Sequence, residues 1–148
     1  MAVEEPSVIA ACSAVAKLVS EKGSGFVCKS TPPVMIAQIQ VLDLVDMKDA
    51  EYKLRSGRRR IIEHANQACQ SMVARGGGVE DLRFRKLSGS SIVVELLVNV
   101  QDSMGANVIN TIAEWTAPYL QAEVLGQARI GIRILSNLCT ERMTLSSF

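Results

Sequence analysis

Residues 92–100 form the most regular pattern in the chain, because apolar side chains occupy every second position there. A period of two is typical of a β-strand that buries one face. The apolar positions are Ile92, Val94, Leu96, Val98 and Val100. Any fold for this chain is therefore expected to contain a sheet.

The same period predicts three further strands between residues 34 and 135. They are centred on Ile39, on Leu82 with Phe84, and on Ile132. Two segments with helical periodicity separate them, so the predicted order is strand, helix, strand, strand, helix, strand. This order predicts an α+β fold of the ferredoxin-like βαββαβ type, in which an antiparallel sheet carries two helices on one face.

The two predicted helices have recognisable ends. The first is expected to be capped by Asp49 and to end at the triple glycine of residues 76–78. The second is expected over residues 105–125, where Pro118 must bend or shorten it. Its predicted apolar face consists of Val108, Ile112, Trp115 and Tyr119.

Two flanks lie outside this pattern. Residues 6–21 predict a helix that begins at Pro6, and its stripe from Val8 to Val19 is surrounded by small side chains. Such a helix is suited to being covered on more than one side. The double proline at residues 32 and 33 separates it from the central domain.

Composition excludes several classes of function. A formal charge of +1 gives no general attraction to nucleic acid or anionic membranes, and residues 92–100 carry no aromatic side chain for stacking RNA bases. No apolar run reaches the roughly 20 residues of a membrane span, and residues 1–6 lack the basic start of a signal peptide. We therefore expect no nucleic-acid or membrane partner. With a single histidine, His64, a histidine-based metal site or catalytic triad is not expected either.

Residues 102–107 directly follow the clearest strand and open the second helix. Gly105 removes side-chain bulk where the backbone turns, and free amides at the positive end of the helix dipole can hold a phosphate. The structural alternative is that Asp102 only caps the helix. Spacing alone leaves both interpretations open.

Three other segments also have two interpretations. The run Arg58-Arg59-Arg60 is typical of a solvated helix face, but it could line a site for a polyanion such as a dinucleotide or coenzyme A. The triple glycine either stops a helix or cradles a phosphate. Glu5 either favours the dipole of the first helix or donates a proton from an apolar setting.

Several of these segments together resemble the bacterial and archaeal class of 3-hydroxy-3-methylglutaryl-coenzyme A (HMG-CoA) reductases. They are residues 3–11, residues 102–107 with Asn110 and Thr111, and residues 133–138. Their order and approximate spacing match as well, including the triple glycine. The resemblance therefore extends over essentially the whole chain.

The resemblance implies a reduction of HMG-CoA to mevalonate, or its reverse, with two NAD(P)H. It also implies that residues 32–135 form a small NAD(P)-binding domain inserted into a larger substrate domain, whose edges are residues 1–31 and 136–148. Members of this family place the active site between two subunits, so a homodimer that binds HMG-CoA and the dinucleotide is expected. A cytoplasmic location is expected as well.

Carried over residue by residue, the resemblance assigns Glu5 as the catalytic glutamate, a proton donor and acceptor around the mevaldehyde-level intermediate. Ser7 falls at a position associated with the HMG moiety, and Asn137 at one near the nicotinamide. The dinucleotide-contacting loop corresponds to Asp102, Met104, Gly105, Ala106 and Asn107.

Two departures from the family pattern matter. The motifs that carry the family's catalytic lysine, aspartate and histidine are not found here, so the chain is expected to be a fragment without reductase activity by itself. NAD-preferring members have an acidic residue at the place of Cys69, where it would bond the adenine ribose. Its absence removes a charge that would repel a 2′-phosphate, which slightly favours NADP(H) over NAD(H); Arg58, Arg59 or Arg60 could supply compensating charge.

Two alternatives remain at this stage. The chain could be a stand-alone ferredoxin-like ligand-binding or regulatory module without catalysis, or an inactive interaction protein that pairs through residues 8–19. The coding sequence downstream of Phe148 would separate a fragment from a repurposed domain.

Overall fold

The structure, a computed structural model, describes residues 5–87, 89–126 and 128–148, so Val3 and Glu4 of the family-like segment lie outside the described residues. In chain order the elements are α1 (Pro6–Lys22), β1 (Val27–Ser30), β2 (Val34–Leu42), α2 (Met47–Asn66), α3 (Gln70–Val73), β3 (Gly78–Lys86), β4 (Ile92–Asn99), α4 (Ala106–Tyr119), β5 (Arg129–Leu135) and β6 (Thr144–Ser147). A 3-10 turn (Gln67–Cys69) joins α2 to α3, and a π-helical turn (Leu120–Leu125) follows α4. Within the described part of the chain, no helix has the length and apolar character needed to cross a membrane.

The chain divides into two compact units. One contains residues 1–31 and 143–148, and the other contains residues 32–142. The tail expected at residues 136–148 is therefore shared between them, because residues 136–142 belong to the second unit.

The first unit contains α1 and a two-stranded antiparallel sheet of β1 and β6. The hydroxyls of Ser30 and Thr144 lie 2.9 Å apart across this pair. Both strands are exposed at all of their positions, so they show no alternation and were not predicted. Helix α1 forms as predicted but buries only Val19 of its apolar stripe.

The second unit is built on a four-stranded sheet with the order β3-β4-β2-β5, in which every neighbouring pair is antiparallel. Alternate residues of the central strands pack with the apolar faces of α2 and α4. Among the fully buried side chains are Ile39, Val94, Leu96, Leu54, Ile61, Ile109 and Ile112. This arrangement confirms the predicted mixed α+β class with antiparallel sheets.

Glu95 of β4 is a buried carboxylate, only 6% exposed. It accepts hydrogen bonds from Gln38 Nε2 (3.1 Å), Arg83 Nε (2.7 Å) and Arg85 Nε (3.2 Å). Burial alone raises the pKa of Glu95, but the hydrogen bonds together outweigh it and hold that pKa below its ordinary value. The network ties β2, β3 and β4 together.

The ends of α2 differ from the prediction. Asp46, not Asp49, caps the helix, because its Oδ1 accepts from the backbone N–H groups of Lys48 (2.8 Å) and Asp49 (3.1 Å). Helix α2 itself ends at Asn66, although helical turns continue through α3 to Val73, three residues before the triple glycine. The side chain of Asn66, its last residue, instead donates to Val79 O (3.0 Å) and accepts from Val79 N–H (2.7 Å), which joins the end of α2 to β3.

Pro118 shortens α4 as predicted, since regular α-helix ends at Tyr119 and a π-helical turn completes the segment. The predicted apolar face is confirmed in part, since Ile112 is buried and Val108 and Tyr119 pack against the core, whereas Trp115 does not. The buried positions are Ile109, Ile112, Ala113, Thr116 and Ala117. Trp115 is 49% exposed at the side of α4, where its ring and that of Tyr119 stack on His64 and its Nε1 donates to His64 O (3.1 Å).

Candidate functional site

The loop between β4 and α4, residues 100–105, lies at the edge of the sheet where β2 begins and β4 ends. Its first residue, Val100, donates from its N–H to Pro33 O (2.9 Å). Ser103 then closes a tight turn, because both its N–H (3.1 Å) and its hydroxyl (2.7 Å) donate to Val100 O. Asp102 and Met104 remain exposed on the outside of this turn.

Gly105 is the N-cap of α4 and has a left-handed backbone with φ 94°. A Cβ at this position would lie 2.5 Å from Met35 Sδ and 3.1 Å from Val100 Cγ1, so no larger residue fits without rearrangement. The alternative in which Asp102 caps the helix is wrong, since α4 has no side-chain cap. The amides that open α4 are therefore not satisfied by a capping side chain.

The triple glycine packs beside this loop. Gln101 Nε2 donates to Gly76 O (3.0 Å), and a Cβ on Gly77 would lie only 2.6 Å from Asn99 O. Between the two segments is a cavity of about 320 Å³, lined by Met72, Arg75, Val100, Gln101, Asp102 and Ser103. The glycines therefore allow the backbone of residues 76–78 to approach residues 99–101 closely, next to this cavity.

Asn137 lies at the same end of the second unit. The preceding strand β5 is joined to the first turns of α4, because Asn110 Oδ1 accepts from Leu135 N–H (2.9 Å). Ser136 N–H donates to Ile36 O (2.8 Å), and Leu138 N–H donates to Ser136 Oγ (3.2 Å). The side chain of Asn137 is exposed between these anchored neighbours. Asn137 and residues 102–107 therefore lie at the same end of the four-stranded sheet.

Arg142 belongs to this site and was missed in the sequence. Its guanidinium donates to the carbonyl oxygens of Ser103 and Met104, both at 3.3 Å, and contacts Met35 Sδ at 3.5 Å. A single arginine in a short tail belongs to no periodic pattern. The only sequence signal for a role at this site is its position five residues after Asn137.

Cys69 is placed differently from the loop residues. Its side chain is 4% exposed, and Sγ lies 3.6 Å from Asn66 Oδ1. Burial raises the pKa of this thiol, although a backbone hydrogen bond from Val79 opposes that effect. Cys69 does not line the cavity, whereas Met72, one turn later, does.

The arginines of α2 have mostly structural partners. Arg58 pairs with Asp81, Arg59 Nε lies 2.8 Å from Glu63 Oε1, and the Arg55 guanidinium lies 5.0 Å above the ring of Phe84. Most of the arginine side chains on this helix therefore interact with other residues of the same domain.

Glu5 and Ser7 lie in the first unit. Glu5 is the N-cap residue of α1, with an extended backbone and an exposed side chain that makes no capping hydrogen bond. Its carbonyl oxygen accepts from Val8 N–H at 3.1 Å, and Ser7 is exposed in the first turn.

Comparison with known proteins agrees with the resemblance found in the sequence. The family described as hydroxymethylglutaryl-coenzyme A reductase matches residues 1–147. The 3-hydroxy-3-methylglutaryl-coenzyme A reductase of Archaeoglobus fulgidus is 39% identical over 146 residues, which cover 97% of this chain. The chain spans only 33%, about a third, of that relative's length.

Solved structures give the same result. A 3-hydroxy-3-methylglutaryl-coenzyme A reductase of Streptococcus pneumoniae superposes with a TM-score of 0.80 at 36% identity, covering 97% of this chain and 39% of that one. A class II reductase from the same organism, bound to NADPH in open conformations, matches with a TM-score of 0.79 at 36% identity, covering 97% of this chain and 34% of that one. On this evidence the chain belongs to the hydroxymethylglutaryl-coenzyme A reductase family.

Proposed function

We propose that the small domain expected at residues 32–135, which lies within the compact unit of residues 32–142, binds the dinucleotide of an enzyme that reduces HMG-CoA to mevalonate, or catalyses the reverse, with two NAD(P)H. The chain supplies this domain together with one catalytic residue, Glu5, and does not catalyse the reaction by itself. Membership of the family and the NADPH bound to a class II relative support the proposal.

The main support for this proposal is the backbone of the loop at residues 102–105. Among the described residues none accepts a hydrogen bond from the N–H groups of Met104 and Gly105. Two successive free amides before the first turn of a 14-residue helix are suited to a diphosphate, because the helix dipole adds positive potential there. The missing side chain of Gly105 keeps the backbone close to Met35 and Val100.

The other loop residues fit the parts of a dinucleotide beyond its phosphates. Asp102 and Asn107 are exposed polar residues on either side of the amides, suited to hydroxyl or carboxamide groups. Met104, 62% exposed, offers an apolar surface for a ring, and Ala106 leaves the first helical position uncrowded. Asn137 is assigned to the nicotinamide end.

The bound dinucleotide supplies the hydride. Within this chain, the proposed role of Glu5 is to hold and transfer a proton at its carboxyl group, and Ser7 is assigned to the HMG moiety of the substrate. Both side chains are exposed in the first unit and so are accessible for such roles.

NADP(H) remains slightly favoured over NAD(H). By the family resemblance, position 69 is the place of the acidic residue of NAD-preferring members, and a cysteine there supplies no carboxylate to repel a 2′-phosphate. Because Arg58 and Arg59 are paired with Asp81 and Glu63, Arg60 is the better candidate of the three for compensating charge.

The finer structural assignments belong to the same proposal. The order β3-β4-β2-β5, with α2 between β2 and β3 and α4 between β4 and β5, supports the ferredoxin-like classification of this domain. A homodimer with the active site between subunits and a location in the cytoplasm are proposed from the family resemblance.

The test is a titration of the 148-residue chain with NADPH and NADH, followed by the amide NMR signals. Shifts concentrated at residues 102–107 and 137 are expected, with no HMG-CoA-dependent oxidation of NADPH. The variant Asn107→Asp should weaken NADPH binding about tenfold, because it adds a negative charge beside the diphosphate, while also favouring the start of α4.

The matched control is Ser90→Asp, which adds the same charge at an exposed position in the connection between β3 and β4, at the opposite end of β4 from residues 102–107. Equal loss of affinity in both variants, or shifts confined to another surface, would favour the stand-alone module with a different ligand. HMG-CoA-dependent oxidation by the isolated chain would overturn the assignment as a non-catalytic part.

A further inference from the structure

Arg142 stands out because its guanidinium is directed at backbone carbonyl groups and not at a carboxylate. Nη2 donates to Ser103 O and Nη1 to Met104 O, both at 3.3 Å. Within the described ranges none of the ion pairs involves Arg142, which is only partly exposed. The two carbonyl oxygens therefore leave the full positive charge of the side chain uncompensated.

These two contacts determine the direction of the neighbouring amides. In a trans, planar peptide the C=O and the following N–H point in opposite directions, and the described residues contain no cis peptide bond. Because the carbonyls of Ser103 and Met104 point toward Arg142, the N–H groups of Met104 and Gly105 point away from it. These are the two amides that lack an acceptor in the described part of the chain.

Met35 connects this contact to Gly105. Its sulfur lies 3.5 Å from Arg142 Nη1 and would lie 2.5 Å from a Cβ on Gly105. The guanidinium, the sulfur and the glycine thus pack as one layer under the loop. Arg142 holds the loop from beneath, while Asp102 and Met104 are exposed.

We propose that Arg142 is a positioning residue for dinucleotide binding: its fork holds the Ser103 and Met104 carbonyls so that the Met104 and Gly105 amides face the diphosphate. This inference rests on the proposed function. Arg142 acts through the backbone and does not touch the dinucleotide, although its charge adds to the positive potential at the start of α4.

The test compares Arg142→Met and Arg142→Lys with the unchanged chain. Methionine keeps an apolar stem but loses both donors, and lysine keeps the charge but cannot fork to both carbonyls in the same way. We expect Arg142→Met to weaken NADPH binding about tenfold, and Arg142→Lys to recover less than half of that loss in log Kd. Arg129→Met is the matched control, since it removes a cation that pairs with Asp43 at the far end of β5.

A second measurement needs no ligand. The NMR order parameters of the Met104 and Gly105 amides should fall in Arg142→Met from about 0.85 toward about 0.6, while those of Val94 and Leu96 in the core stay unchanged. Unchanged core values also show that the variant folds.

The outcomes separate the two proposals. If the unchanged chain does not bind NADPH, the proposed function fails. If it binds, and Arg142→Met binds equally well with an equally ordered loop, the role of Arg142 is refuted alone. Weakened binding with unchanged order parameters, or full recovery by lysine, would also overturn positioning, because charge alone would then explain the effect.

Discussion

The side-chain oxygen of Asn110 accepts a hydrogen bond from the backbone N–H of Leu135 at a distance of 2.9 Å. The bond joins the second turn of α4 to the last residue of β5, 25 positions later. It holds the segment that carries Asn137 at the end of the sheet where the 100–105 loop opens α4. A single hydrogen bond thereby helps to hold two parts of the candidate site at the same end of the sheet.

Asn110→Ala should lower the free energy of unfolding by about 1–3 kcal/mol, because it leaves a partly buried N–H without an acceptor. Urea denaturation of the variant and the unchanged chain measures this effect. Thr111→Ala is the control, since its hydroxyl bonds only Asn107 O on an exposed helix face and should cost less than about 0.5 kcal/mol. Equal costs for both variants would contradict the structural role of Asn110.

Gly105→Ala should destabilise the chain by more than about 1 kcal/mol, because a left-handed backbone and a close contact with Met35 combine there. Gly76→Ala is the control, since Gly76 has φ +86° but no atom within 4 Å of an added Cβ. Adding Met35→Ala should reduce the cost at Gly105 and leave the cost at Gly76 unchanged. A double-mutant cycle by thermal unfolding measures this coupling, and strict additivity would argue against the contact.

Glu95 should give the chain a pH-dependent stability. Its folded pKa lies below its unfolded value, so its contribution is complete above the unfolded pKa of about 4.3 and is lost as the pH falls through the folded pKa. The free energy of unfolding should therefore decline with acidification below about pH 5. In Glu95→Gln this decline should be shallower, whereas the exposed control Glu123→Gln should keep the original slope; equal slopes in all three proteins would exclude this role.

Cys69 should resist alkylation in the native chain. It is buried and its pKa is raised by burial, so little reactive thiolate is available. Cys28 and Cys139 are exposed and should react first with iodoacetamide at pH about 8, as followed by peptide mass spectrometry. In urea the three thiols should react at similar rates. If Cys69 in the native chain is alkylated as fast as Cys139, its burial next to Asn66 is contradicted.

Local patterns in the sequence account for most of the second unit. The alternation through Ile92 and Val98 predicted β4, and Pro118 predicted the shortened α4, because both signals act over a few neighbouring residues. The cap of α2 was predicted three residues late, since Asp46 and Asp49 are equally good capping residues and only the backbone decides between them. Only Trp115 was misplaced on the apolar face of α4, because its ring stacks on His64 of another helix, a contact that the periodicity of α4 does not show.

The sequence by itself determined the family and the α+β class, and it predicted a candidate site at residues 102–107, because these depend on residue types at short and regular spacing. Tertiary structure alone decided the pairing of β1 with β6, the burial of Cys69 behind Asn66, and the contact of Arg142 with Ser103 across 39 residues. Such contacts arise when distant segments pack together, and they leave no periodicity in the chain. For the same reason the contact of Arg142 with the 100–105 loop follows only from the tertiary structure.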